Sequence, residues 1–276
     1  MKEFLGIGGY QRQPEGALSW QHLTFVGLLM AAMIVLAVVL GKRNRNRDEK
    51  TKNRVLIAAA ILIDAIEIFK LVVFCARGSG LAEMRHNLPL FLCSIQLIVI
   101  PLAAFSKGRV REAALDFVFV FGLLGGVLGT VGAFQNYNAY PVLGIENVAS
   151  GLTHSIAGFA SLYVGISGMA GMERRNVPIT YGILLFFIAA AFIANAALDY
   201  NYMFLRRGDG TPYDVLYNLV HGSPVLYPIG VVALFLVYIA VFYLIVGLVR
   251  RKRRALINII IYIQKIIIKG IIFLKE

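Results

Sequence analysis

Charge is what this sequence has least of. Asp, Glu, Lys and Arg make up 15% of its 276 residues, where a soluble domain carries about a quarter. With 59% of its residues hydrophobic, the chain implies lipid as its solvent. Cysteine is nearly missing: Cys75 and Cys93 are the whole complement. That excludes a small scaffold stapled by several disulfides. The histidines, His22, His86, His154 and His221, are scattered. They offer no zinc-ligand spacing, and neither a metal nor another cofactor is expected. Period-2 alternation of polar and apolar residues is absent as well, which removes a transmembrane β-barrel.

What is abundant is the long apolar run. A helix rises about 1.5 Å per residue and needs roughly 20 apolar residues to cross about 30 Å of hydrocarbon. Stretches at roughly 22–41, 55–76, 87–105, 113–134, 150–171, 177–198 and 224–249 qualify. They predict an all-α polytopic bundle of seven transmembrane helices within residues 22–254. A polar segment, 1–21, precedes it, and an Ile/Lys-rich tail, 255–276, follows it. The first twenty residues lack a basic n-region, so the first span reads as a retained helix.

A net charge of +12 invites a nucleic-acid reading, but the distribution argues against that partner. The basic residues crowd "GKRNRNRDEKTKNR" (41–54), "SKGRVRE" (106–112), "ERR" (173–175) and "RRKRR" (250–254). These loops follow the first, third, fifth and seventh spans, always on one face. The bias marks that face as cytoplasmic and sets the amino terminus outside a multi-pass protein of the cell membrane. Trp20, Tyr137, Tyr140, Tyr200, Tyr202 and Tyr227 fall near the outer boundary, where an aromatic belt is expected. In the tail, Asn258, Tyr262, Lys265 and Lys269 recur on one face, as in an interfacial amphipathic helix.

Small residues mark the helix contacts. Gly122, Gly125, Gly126 and Gly129 in the fourth span, and Gly151, Ser155, Gly158 and Ser161 in the fifth, let backbones approach closely in lipid. Polar groups mark the candidate sites. Asp64, Glu67 and Lys70 share one face of the second span, where each costs about 2.5 to 3.5 kcal/mol. They read either as an ion pair fixing helix orientation, or as part of a proton or ion path, or as groups polarising a site. Asp116 reads as an interfacial acid that snorkels. Cys93, in "HNLPLFLCSIQ" (86–96), and His154, in "GLTHSIAG", lie within about 3 Å of the same depth at about 1.5 Å per residue. Gln96, Asn195 and Asp199 fall in the same outer slice.

Cys93 admits three readings. It is a small hydrophobe filling a helix, half of a disulfide with Cys75, or a nucleophile. As a nucleophile it would attack an ester carbonyl and hold the acyl group as a thioester. His154 would then take the proton, Asn195 or Asp199 would orient the imidazole, and Gln96 would donate to the oxyanion.

"NLPLFLCSIQL" (87–97), "LTHSIAGFASLY" (152–163) and "NYMFLRRGDGTPYDVLYNLVHGSPVLYPIG" (201–230) occur in that order. Together they resemble the YwaF-like family of integral membrane proteins over about residues 55–249. The animal branch of that family, transmembrane protein 164, is a glycerophospholipid acyltransferase that uses a cysteine and a histidine. The resemblance implies those roles for Cys93 and His154, and membrane phospholipids as partners. Bacterial relatives carry a histidine two residues before the cysteine, where this chain has Phe91. The competing expectation is a non-enzymatic transporter or sensor working through Asp64, Glu67 and Lys70.

Overall fold

The computed structural model describes residues 1–273, and the backbone alone for residues 79, 81–83 and 250–273. Every regular element among the described residues is helical. The principal helices are α1 (Trp20–Asn44), α2 (Glu49–Phe74), α3 (Gln96–Phe105), α4 (Gly108–Val131), α5 (Ile145–Ile166), α6 (Val177–Leu198) and α7 (Leu226–Phe273). Met1–Val232 forms one compact unit, and the chain from Ala233 on, the bulk of α7, forms a second.

Local chemistry sets the helix starts. The Ser19 hydroxyl accepts from the His22 N–H at 3.2 Å and opens α1. The Asp48 carboxylate accepts from the Thr51 N–H at 3.2 Å and opens α2. Each cap satisfies one of the donors that a helix start leaves without an intrahelical partner.

Four helical stretches among the described residues are long and apolar enough to cross a membrane: Trp20–Asn44, Gly108–Ala139, Arg174–Leu198 and Leu226–Val249. The other three expected spans differ for identifiable reasons. α2 has the length but carries Asp64, Glu67 and Lys70. α5 also has the length, and its polar and small residues, among them Asn147, Gly151, Thr153, Ser155 and Gly158, are buried. The stretch expected as a helix over 87–105 is α-helical only from Gln96. Pro89 disfavours the helical conformation for the residue before it, and residues 87–95 run as bends and turns. Cys93 therefore sits in a turn ahead of α3 and not within a helix.

α5 is the centre of the first unit and packs against α4, α1 and α2. Its closest approach is to α4: a Cβ on Gly126 would fall 2.6 Å from the Gly158 Cα. No side chain fits between these backbones, and the contact is made by dispersion at close range.

Two other expectations are revised. Asp116 does not snorkel. It is fully buried, and its carboxylate accepts from the Met172 N–H at 2.7 Å and the Asn176 side-chain amide at 3.1 Å. It ties α4 to the α5–α6 connection, and these bonds offset the cost of burying the group. The belt is also incomplete. Trp20 is exposed, but Tyr137, Tyr202 and Tyr227 are buried. The expected amphipathic face of the tail lies outside the described residues, although the backbone is helical to Phe273.

Candidate functional site

A cavity of about 500 Å³ opens where α2, the turn before α3, α5 and the segment after α6 converge. Its lining includes Glu67 and Lys70 from α2, Cys93 and Ser94 from the turn, Ser150 and His154 from α5, and Phe204 and Arg207 after α6. Both cysteines are free thiols, so Cys75 and Cys93 form no disulfide.

The Cys93 thiol and the His154 imidazole line the same cavity, close enough for each to feel the other's charge. α4 holds them together from behind. A Cβ on Gly125 would come to 3.2 Å from the Cys93 Cβ, and one on Gly129 would land 1.9 Å from the His154 Cδ2. Residues four apart lie one above the other on a helix. The two glycines therefore form a smooth wall, with the Cys93 Cα and Cβ over one and the His154 ring over the other. Composition alone favoured helix packing for all four glycines of this stretch. Gly126 fits that role, while Gly125 and Gly129 also make room for Cys93 and the imidazole.

His154 Nδ1 lies 2.7 Å from the Ser150 carbonyl oxygen and 3.2 Å from the Ser150 hydroxyl. The carbonyl can only accept, so Nδ1 carries the hydrogen, and in the neutral ring the lone pair is on Nε2. That tautomer suits a base toward a thiol. Ser150 was not among the residues singled out from sequence, though its i, i+4 spacing to His154 is a usable signal.

The remaining candidates sit elsewhere. Asn195 is buried and does not orient the imidazole. Its Oδ1 accepts from the Tyr202 N–H at 2.6 Å and its Nδ2 donates to the Tyr202 carbonyl at 3.0 Å. Tyr202 in turn accepts from the Leu88 N–H at 3.2 Å and donates to the Arg85 carbonyl at 2.5 Å. Through Tyr202, Asn195 anchors the segment that delivers Cys93. Asp199 is exposed and pairs with Arg206 at 2.5 Å. That guanidinium, through a hydrogen bond and its charge, holds the Asp199 carboxyl below the usual range. Gln96 is fully buried outside the cavity lining, and both of its amide atoms lack a hydrogen-bond partner. Glu67 and Lys70 form an ion pair at 2.7 Å. Asp64, one turn deeper on α2, does not line the cavity.

Phe91 lines the cavity among aromatic rings, with centroids 5.5 Å from Phe204 and 6.3 Å from Tyr200. Glu146 also lines the cavity. It pairs with Arg77 and accepts from the Tyr10 hydroxyl, and Arg77 Nε donates to the Leu5 carbonyl at 2.6 Å. This network docks the amino-terminal segment beside the site. Among the described residues, no three His, Cys, Asp or Glu side chains gather to hold a metal ion.

The model of the TMEM164 family matches residues 17–246. The chain belongs to the TMEM164 family. The match takes in α1 to α6, the cavity and the start of α7. No curated protein and no solved structure matches the chain. The cavity of this TMEM164-family membrane protein holds a free thiol and an imidazole.

Proposed function

We propose that this chain is a Cys/His lipid acyltransferase or acyl-ester hydrolase working in the outer leaflet of the cell membrane. Cys93 is the nucleophile and His154 the base. The observation that carries this is the pairing of thiol and imidazole in one cavity, with Nδ1 committed to the Ser150 carbonyl. The Cys93 sulfur adds to an ester carbonyl as Nε2 takes the thiol proton. The alcohol leaves with that proton, and the acyl group stays on sulfur. An acceptor hydroxyl, or water, then gives its proton to Nε2 and attacks the thioester, and the C–S bond breaks as the departing sulfur takes that proton back from Nε2.

In this reading the protein is YwaF-like and crosses the membrane seven times. α2, the 87–105 stretch and α5 join the four apolar helices, with residues 1–21 outside and the tail inside. Interior helices need not be apolar all round, because their polar faces meet other helices and not lipid. Membrane phospholipids supply the ester. The aromatic ring of Phe91 in the cavity lining replaces the histidine of bacterial relatives and makes the lining more apolar.

The test is incubation of the purified protein with a phospholipid carrying a fluorescent acyl chain. The expected result is label on Cys93 that hydroxylamine releases, absent in Cys93→Ser. Label that persists in Cys93→Ser, or none in the wild type, rejects the reading. The transporter alternative draws on the Glu67–Lys70 pair in the same cavity. It requires uptake that survives Cys93→Ser and fails in Glu67→Gln.

A further inference from the structure

Addition of a thiolate to an ester pushes the carbonyl π pair onto oxygen, and that charge needs a donor in a dry site. The side chain first considered for this, Gln96, is buried outside the cavity. Lys70 is inside it. It lines the same cavity as Cys93 and His154, and its charge reaches the imidazole. Glu67 holds it at 2.7 Å, both side chains are largely buried, and the Phe74 ring lies 5.8 Å away. An ammonium has three donors, so the pairing with Glu67 fixes its position while leaving donors for a substrate. The other nearby cations are less suited: the Arg207 side chain is largely exposed, and Arg77 is not in the cavity lining. Arg207 pairs with Asp209 at 2.5 Å, and Arg77 is held by Glu146, Tyr10 and the Leu5 carbonyl.

We propose that Lys70, positioned by Glu67, is the electrophilic catalytic residue that stabilises the oxyanion when Cys93 adds to the ester and again when the acceptor adds to the thioester. The inference rests on the acyl-transfer reading above. In each step the negative charge forms on the carbonyl oxygen, interacts with the Lys70 ammonium, and returns to the C=O bond as the leaving group departs. Lys70 keeps its proton throughout, so the proton balance remains that of His154 alone. A buried pair that would otherwise cost desolvation on both partners thereby acquires a chemical use.

The experiment compares two reactions of the same sulfur in the full-length protein. Alkylation by iodoacetamide forms no oxyanion, whereas acylation by a fluorescent phospholipid does. Rates are read for wild type, Lys70→Met, Lys70→Arg and Glu67→Gln, with alkylation taken at its alkaline plateau, where the thiol is fully ionised. Lys70→Met should slow acylation about a hundredfold and leave plateau alkylation within about twofold. Lys70→Arg should recover part of the loss, and Glu67→Gln should slow acylation less than Lys70→Met. Acylation unchanged in Lys70→Met overturns the proposal. So does a fall of both reactions together in Lys70→Met and Lys70→Arg, which marks Lys70 as structural. Failure of wild-type Cys93 to acylate at all strikes the acyl-transfer reading instead, and is scored separately.

Discussion

The imidazole of His154 is set by one neighbour on its own helix. The Ser150 carbonyl fixes the tautomer, and the Gly129 Cα leaves space for the ring. His154→Ala should slow Cys93 alkylation at neutral pH at least tenfold, because a free thiol near pKa 8.5 is mostly protonated there. Gly129→Ala should damage the same reaction without touching either reactive side chain. The new methyl would overlap the imidazole, and such overpacking costs about 1 to 3 kcal/mol. Thermal unfolding and alkylation kinetics on the one variant test both effects. Cys93 and His154 were singled out from sequence by depth along two helices and by motif, yet Cys93 lies in a turn, so the depth arithmetic holds for His154 alone. Asn195 and Asp199 have similar depth but turn to other partners, and depth carries no information about facing.

At the scale of elements, connections matter as much as helices. The turn that carries Cys93 is held by Tyr202, and Tyr202 is held by Asn195. Asn195→Leu should lower acyl turnover while leaving Nδ1 of His154 bonded as before, which NMR of labelled histidine can follow. Asp116→Ala removes the acceptor of the Met172 N–H and should cost about 1 to 3 kcal/mol for the stranded donor. The docked amino-terminal segment has its own titration. Burial first, then the Glu146 carboxylate, push the Tyr10 hydroxyl up to about 12. The folded state therefore holds this proton more tightly than the unfolded chain. The stabilisation is intact below about pH 10 and is lost as pH rises toward 12. Tyrosinate absorbance of wild type against Tyr10→Phe should show one group titrating in that window. Sequence pattern missed this network because Tyr10, Arg77 and Glu146 are far apart along the chain and share no motif.

The molecule as a whole was legible as a membrane bundle because composition reports the solvent directly. The helix in the third stretch was over-read, since an apolar run looks the same as helix or as buried turn until Pro89 is weighed. α2 and α5 fall short of membrane apolarity because their faces serve the protein interior. Orientation can be tested by placing single cysteines at residue 13 and at residue 107 in a Cys75→Ser, Cys93→Ser background, in intact cells. An impermeant maleimide should label the first and not the second, and the reverse result inverts the bundle.

The glycine wall on α4 has a stereochemical outcome. With Gly125 flush against the Cys93 Cβ and Gly129 against the His154 ring, no ester can approach from that side. The carbonyl must arrive from the cavity side, with one of its two faces toward Cys93. A lipid built on the mirror-image glycerol would present its chain and headgroup in exchanged directions. Such an enantiomer should be turned over far more slowly than the natural one.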